Sequence, residues 1–220
     1  MRVIQITATR NKPGRLAEGL ALAADARRLL RRLGAIDLRV FQVVSGGAGG
    51  NNDFISTASY PNFAAFGRAM SQLPTDTDAH KLLEQVDDER SPVVVTHQSL
   101  AIELPVGAVG EELPPNSIAY VQLMSVRPGR YADALAFADE VAPVLADRGV
   151  PFVRCRRALA AGALTDTLSV VCGFDSWDSY GRLSDELETD TRLQEIMNRA
   201  YGADSPTQTT WSGLIAEMQL

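Results

Sequence analysis

The chain repeats itself. Pro13-Gly14-Arg15 returns as Pro128-Gly129-Arg130, and Leu20, Gly34 and Arg39 return as Leu135, Gly149 and Arg154, each pair 115 residues apart. Beyond residues 46–53 the spacing becomes 114. Gly67-Arg68 then matches Gly181-Arg182, Thr75-Asp76-Thr77 matches Thr189-Asp190-Thr191, Ser91-Pro92 matches Ser205-Pro206 and Glu103 matches Glu217. One register kept through both halves marks a tandem duplication, and such a repeat constrains the fold more than any short motif. The single-residue step falls between "SGGAGGNND" and "AAGALTD", where a hairpin loop tolerates a change of length. The repeats are residues 1–104 and 117–220, and the Pro- and Gly-containing stretch 105–116 is the linker.

Periodicity gives both halves one order of elements. "RVIQITAT" and "SIAYVQLMSV" alternate as strands. A long helix follows, opening near Pro13 and stopping at Gly34, with its counterpart running from Gly129 to Gly149. Next comes a hairpin, "IDLRVFQVV" with "DFISTASY", answered by "PFVRCRRAL" with "TLSVVCGF". "YPNFAAFGR" and "FDSWDSYGR" then open a second helical region. Aromatics at the first, fourth and seventh places are expected to pin that region to the sheet, with Gly67 and Gly181 allowing close approach and Asp175 as N-cap. A further helical piece and a last strand close each half. The order β-α-β-β-α-β is the ferredoxin-like unit, an α+β arrangement with helices on one face of an antiparallel sheet. Its other face needs a cover, and two fused units can supply it to each other.

This element order, with the aromatic pattern at the strand ends, resembles the dimeric α+β barrel superfamily over about the whole chain, and within it the antibiotic-biosynthesis monooxygenase and NIPSNAP-like groups. The resemblance implies two tandem ferredoxin-like repeats forming an intramolecular barrel. It implies a small-molecule ligand and, as the activity, a cofactor-independent, monooxygenase-like reaction on a small aromatic or quinol-like compound. A non-catalytic binding or assembly protein is the alternative, and a haem-binding protein a second one. Haem-degrading members carry a histidine on the second helical segment, where His80 stands. The Trp on the third strand and the Asn on the first that would accompany it are missing here.

The bulk properties narrow the partners. With 21 basic and 27 acidic residues the chain carries −6, which argues against nucleic acid and anionic membranes. No apolar run reads as a leader or membrane span, so a cytoplasmic location is expected. GxSxG, P-loop, GxGxxG, HExxH and EF-hand patterns are all absent from the sequence.

His97, on the last strand of the first half and matched by Trp211, is the first candidate for proton transfer. Its phase with Val93 and Val95 also suits a hydrogen-bonded core or pocket-lining histidine. Arg39 and Arg154 share one place in the two second strands. Arg154 and Arg156, two apart, can present a positive face to a carboxylate or phenolate, or form a salt-bridged strand face. Tyr120 and Gln122, like Gln5 and Thr7, either line a cavity or make one wet sheet face. Cys155 and Cys172 are expected opposite one another across their hairpin as buried, reduced thiols. The two long helices diverge. The first carries Arg27, Arg28, Arg31 and Arg32; the second carries Asp139, Glu140 and Asp147, with Pro143 expected to kink or shorten it. A basic helix meeting an acidic one on another copy would favour a homo-oligomer, and solvated helix faces are the commoner outcome of such runs.

Overall fold

A computed structural model describes residues 1–46 and 52–220. The first half comprises β1 (Val3–Asn11), α1 (Leu16–Arg32), β2 (Asp37–Ser45), β3 (Asp53–Tyr60), α2 (Phe63–Gln72), α3 (Thr77–Asp87) and β4 (Val93–Glu103). The second comprises β5 (Ile118–Val126), α4 (Tyr131–Asp147), β6 (Phe152–Ala160), β7 (Leu168–Phe174), α5 (Trp177–Thr189), α6 (Thr191–Tyr201) and β8 (Thr207–Glu217). The one-residue length step between the repeats falls on residues 47–51, outside the described residues.

Local chemistry sets the helix ends. Pro13 and Gly14 form a turn, Gly14 at φ +76°, so α1 starts at Leu16 and not at the proline. Both long helices stop before a left-handed glycine, Gly34 at +99° and Gly149 at +81°, a conformation that costs other residues a steric clash. Pro143 does not shorten α4, which has the same 17 residues as α1, because Ala142 and Val144 beside it are buried in the core. Ser176, not Asp175, caps α5. Its hydroxyl accepts from the Ser179 N–H in a capping box, and the Asp175 carboxylate accepts from Ser179 Oγ at 2.6 Å.

Of the three aromatics at each strand end, two do the pinning. Tyr60 and Phe174, 0% and 2% exposed, meet Phe66 and Tyr180 edge-on at 5.4 and 5.3 Å. The middle ones, Phe63 and Trp177, begin their helices on the solvent side, 42% and 48% exposed. Gly67 and Gly181 face open space, so close approach is not their role.

The strands close into a barrel in the order β1-β3-β2-β8-β5-β7-β6-β4, with every neighbouring pair antiparallel. Adding four to each number in the first half gives the second, which is the pseudo-two-fold of the duplication. The halves therefore join edge to edge, β2 to β8 and β4 to β6, leaving no free sheet edge. Directions alternate, so the end of β2, the start of β3 and the β6–β7 turn lie at one rim and the linker and the first and last described residues at the other. Outward faces pack under helices around Tyr60 and Leu29 in one half, and around Phe174 and Leu193 in the other. Phe41, Val43, Ala119, Phe152, Val171 and Ile215 form a third cluster facing inward.

Cys155 pairs with Val170 and Cys172 with Val153, two residues away from the expected cross-strand pair, because the 3-10 turn at Gly162–Leu164 shifts the hairpin centre. Both thiols are buried and reduced. Charges on the long helices are largely paired within the chain. Arg32 binds Asp76 and Asp78, Arg28 binds Asp25, and Arg199 binds Glu140.

Candidate functional site in the barrel lumen

Alternation along each strand sends every second side chain into the barrel. They do not fill it. A cavity of about 460 Å³ remains, within the range that holds a small organic ligand. Its lining is mixed. Phe41, Val43, Val121, Val171 and Ile215 form an apolar strip across β2, β8, β5 and β7, and Thr57, Ser59, His97, Ser99, Arg156 and Ser169 place polar groups among the apolar side chains elsewhere in the lining.

The linker is the floor. Leu113 is buried in the inward cluster and packs against the bare backbone of Gly173, where a Cβ would lie 2.0 Å from Leu113 Cδ1 and force that side chain to turn. Two arginines hold this segment. Arg39 donates to the carbonyls of Leu113 (2.7 Å) and Pro114 (3.1 Å) and pairs with Asp37 and Glu217. Arg154, 8% exposed, donates to the carbonyls of Val109 (2.7 Å), Gly110 and Glu111 (3.1 Å) and pairs with Glu103. The pseudo-equivalent arginines expected to face a ligand thus have their donors directed at backbone and carboxylates of the protein.

At the opposite rim a β-bulge sets the orientation of His97. Ala8 on β1 faces His97 and its neighbour Thr9 faces Val95, so Thr96 is the extra residue. The bulge breaks the alternation. Val93 and Val95 stay out of the cavity, whereas His97 follows Ser99 and Ala101 into the lumen. Thr210 makes the matching bulge on β8, and Trp211 lines the cavity across from His97, donating its indole N–H to the Gly46 carbonyl at 2.8 Å.

Arg156 lies on the β6 face that enters the lumen, opposite Glu103 on β4 and Ser169 on β7. Its Nε is buried without a hydrogen-bond partner, and burial lowers the affinity of the guanidinium for its proton. From Glu103, its cross-strand neighbour, to His97 is six residues of β4, about 20 Å at about 3.3 Å per residue. The two groups therefore address opposite ends of one elongated space.

No protein-family model matches this sequence, and no curated protein matches it. Solved structures do. A candidate monooxygenase from Fusobacterium nucleatum superposes with a TM-score of 0.64 at 8% identity, covering 99% of this chain and 91% of that one. An anthrone oxidase-like protein gives 0.61 at 10% identity, with coverage of 99% and 91%. A chlorite dismutase mutant from Candidatus Nitrospira defluvii gives 0.56 at 9% identity, with coverage of 99% and 92%. The fold is the dimeric α+β barrel.

In this dimeric α+β barrel the remaining sequence candidates lie outside the lumen. Tyr120 faces the helices, opposite Cys172 and packed with the Phe174 cluster, and burial pushes its phenol up. Gln122 shares that outward face and donates to Tyr201 Oη and Thr209 Oγ1. Gln5 and Thr7 sit beneath α1 with Ala23 and Ala26. His80 is exposed on α3, its Nε2 at 2.9 Å from the Pro74 carbonyl, in a shallow surface depression with Glu84, Asp87 and Asp88. An acidic, open surface does not fit a haem, which needs an apolar slot and a free imidazole. No cluster of three or more His, Cys, Asp or Glu side chains placed to hold a metal ion occurs among the described residues, and none of the helices there is long and apolar enough to cross a membrane.

Proposed function

We propose that the lumen binds a small aromatic, quinol-like molecule and that the protein oxidises it with dioxygen in a cofactor-independent, monooxygenase-like reaction. The observation that carries this reading is a ligand-sized cavity with an apolar strip of Phe41, Val43, Val121, Val171 and Ile215, into which a bulge turns an imidazole. A flat aromatic ring lies against Phe41, Val121 and Val171, and His97 at the rim accepts the proton from an activated C–H. The carbanion so formed supplies the electrons to dioxygen. One oxygen atom ends as the new ring carbonyl and the other leaves as water, so a CH₂ becomes C=O for each O₂ consumed. The shared fold with a candidate monooxygenase and an anthrone oxidase-like protein supports the same reaction class.

Anthrone and an oxygen electrode test it. One O₂ taken up per anthrone, with anthraquinone as product and the rate reduced about a hundredfold or more in His97→Ala, is the expected result. Saturable binding of anthrone with uptake no faster than in buffer would replace catalysis by simple ligand binding.

A further inference from the structure

Among the described residues, the lumen holds a guanidinium, that of Arg156, whose buried Nε the protein leaves without an acceptor. Three of the carboxylates that line the cavity are engaged elsewhere, Glu103 with Arg154, Asp37 with Arg39 and Asp53 with Arg10, and the fourth, Glu112, stands exposed on the linker and makes no ion pair with Arg156. Arg156 has neither an ion pair nor a side-chain hydrogen bond among the described residues, and its Nε is buried with no acceptor. Across the lumen from it stand Phe41 on β2 and Ile215 on β8, which offer no compensation. An arginine cannot shed its charge as a buried lysine does, so an unpaired guanidinium here destabilises the empty protein.

The duplication shows that the barrel does not need it. The residue matching Arg156 in the first half is Phe41, buried and packed in the inward cluster. The same lumen position is thus satisfied by a hydrocarbon in one repeat, whereas the other carries a charge with no partner. A residue that costs stability, and whose twin is apolar, points to a counter-ion that arrives from outside.

Resting on the reading of the lumen as the ligand site, we infer that the ligand is an aromatic acid, bound one per chain, with its carboxylate on the Arg156 guanidinium near the linker floor and its ring system extending towards His97 and Trp211. The fork of N–H donors suits a planar carboxylate, and the low dielectric around it strengthens the pair. With Phe41 in the matching place, the pseudo-two-fold generates no second guanidinium at this level of the lumen, so one ligand per chain is expected.

Anthracene-2-carboxylate and its neutral isostere anthracene-2-carboxamide, titrated calorimetrically, separate the two layers of the argument. The acid is expected to bind one per chain, with the amide weaker by about thirtyfold or more. In Arg156→Met the preference disappears, because acid affinity falls while amide affinity holds, and the melting temperature of the empty protein rises. Arg156→Lys keeps part of the preference. Equal binding of acid and amide to the unaltered protein would overturn the charge inference and leave the lumen reading standing. So would an Arg156→Met protein that keeps the preference, or one that melts lower or fails to fold. Binding of neither probe would overturn both.

Discussion

Arg154 and Arg39 show how a duplicated residue is put to one structural use. Each stands at the same strand position, and the linker passes between them, so its carbonyls become acceptors for both guanidinium forks. Arg154→Met strips the largely buried Glu103 of its cation and takes from the Gly110 and Glu111 carbonyls the donor that holds them. The expected loss is about 3–5 kcal/mol, read from urea unfolding. Arg39→Met is expected to lose less, about 1–3 kcal/mol, since Asp37 is 41% exposed and can turn to water and Glu217 keeps the Ser117 N–H as a donor. The thiols give a pH dependence of definite sign. Burial pushes Cys155 up to about 11 and Cys172 up to about 12, against about 8.5 for an unfolded cysteine. Above that lower value the unfolded chain releases protons that the folded one retains, so stability present at pH 8 is lost as pH rises towards 11–12. Melting temperature should therefore fall between pH 8 and 10.5, and fall less in a Cys155→Ala/Cys172→Ala protein.

At the level of single elements, α5 offers the cleanest test. Ser176 and Ser179 satisfy each other's backbone N–H groups, and Asp175 braces them. Ser176→Ala is expected to cost about 1 kcal/mol, measured by thermal or chemical denaturation, with Asp175→Ala costing less. The sequence made the elements legible because each is stated twice: a strand or helix suggested weakly in one half is confirmed by its twin at 115 or 114 residues. Faces were less legible than elements. His97 was read in phase with Val93 and Val95, and no alternation rule anticipates the bulge at Thr96 that reverses it; a one-residue insertion turns a side chain to the other face. Tyr120 failed for a related reason, since both faces of these strands are covered and polarity does not say which is the lumen. The departure of Arg156 from Phe41 was visible in the repeat alignment. What it lacked was the barrel, which alone shows that Arg154 is engaged and its neighbour two residues on is not.

The molecule as a whole behaves as a dimer made covalent. Cut in the linker, residues 117–220 would expose the inward face of Ala119, Val121, Phe152, Val171 and Ile215, together with the unpaired edges of β6 and β8. Pairing with a second copy of itself re-creates a barrel of the same strand order, but with two Arg156 side chains facing one lumen and no Phe41. Pairing with residues 1–116 restores one Phe41, one Arg156 and the linker that Arg154 holds. Separately expressed halves are therefore expected to combine one to one when mixed, in preference to either homodimer, with the complex recovered at the mass of the intact chain by light scattering after size exclusion. A half that stays folded as a monomer would show that its inner face and edges need no cover, and the barrel would then be two domains in contact instead of one structure closed on itself.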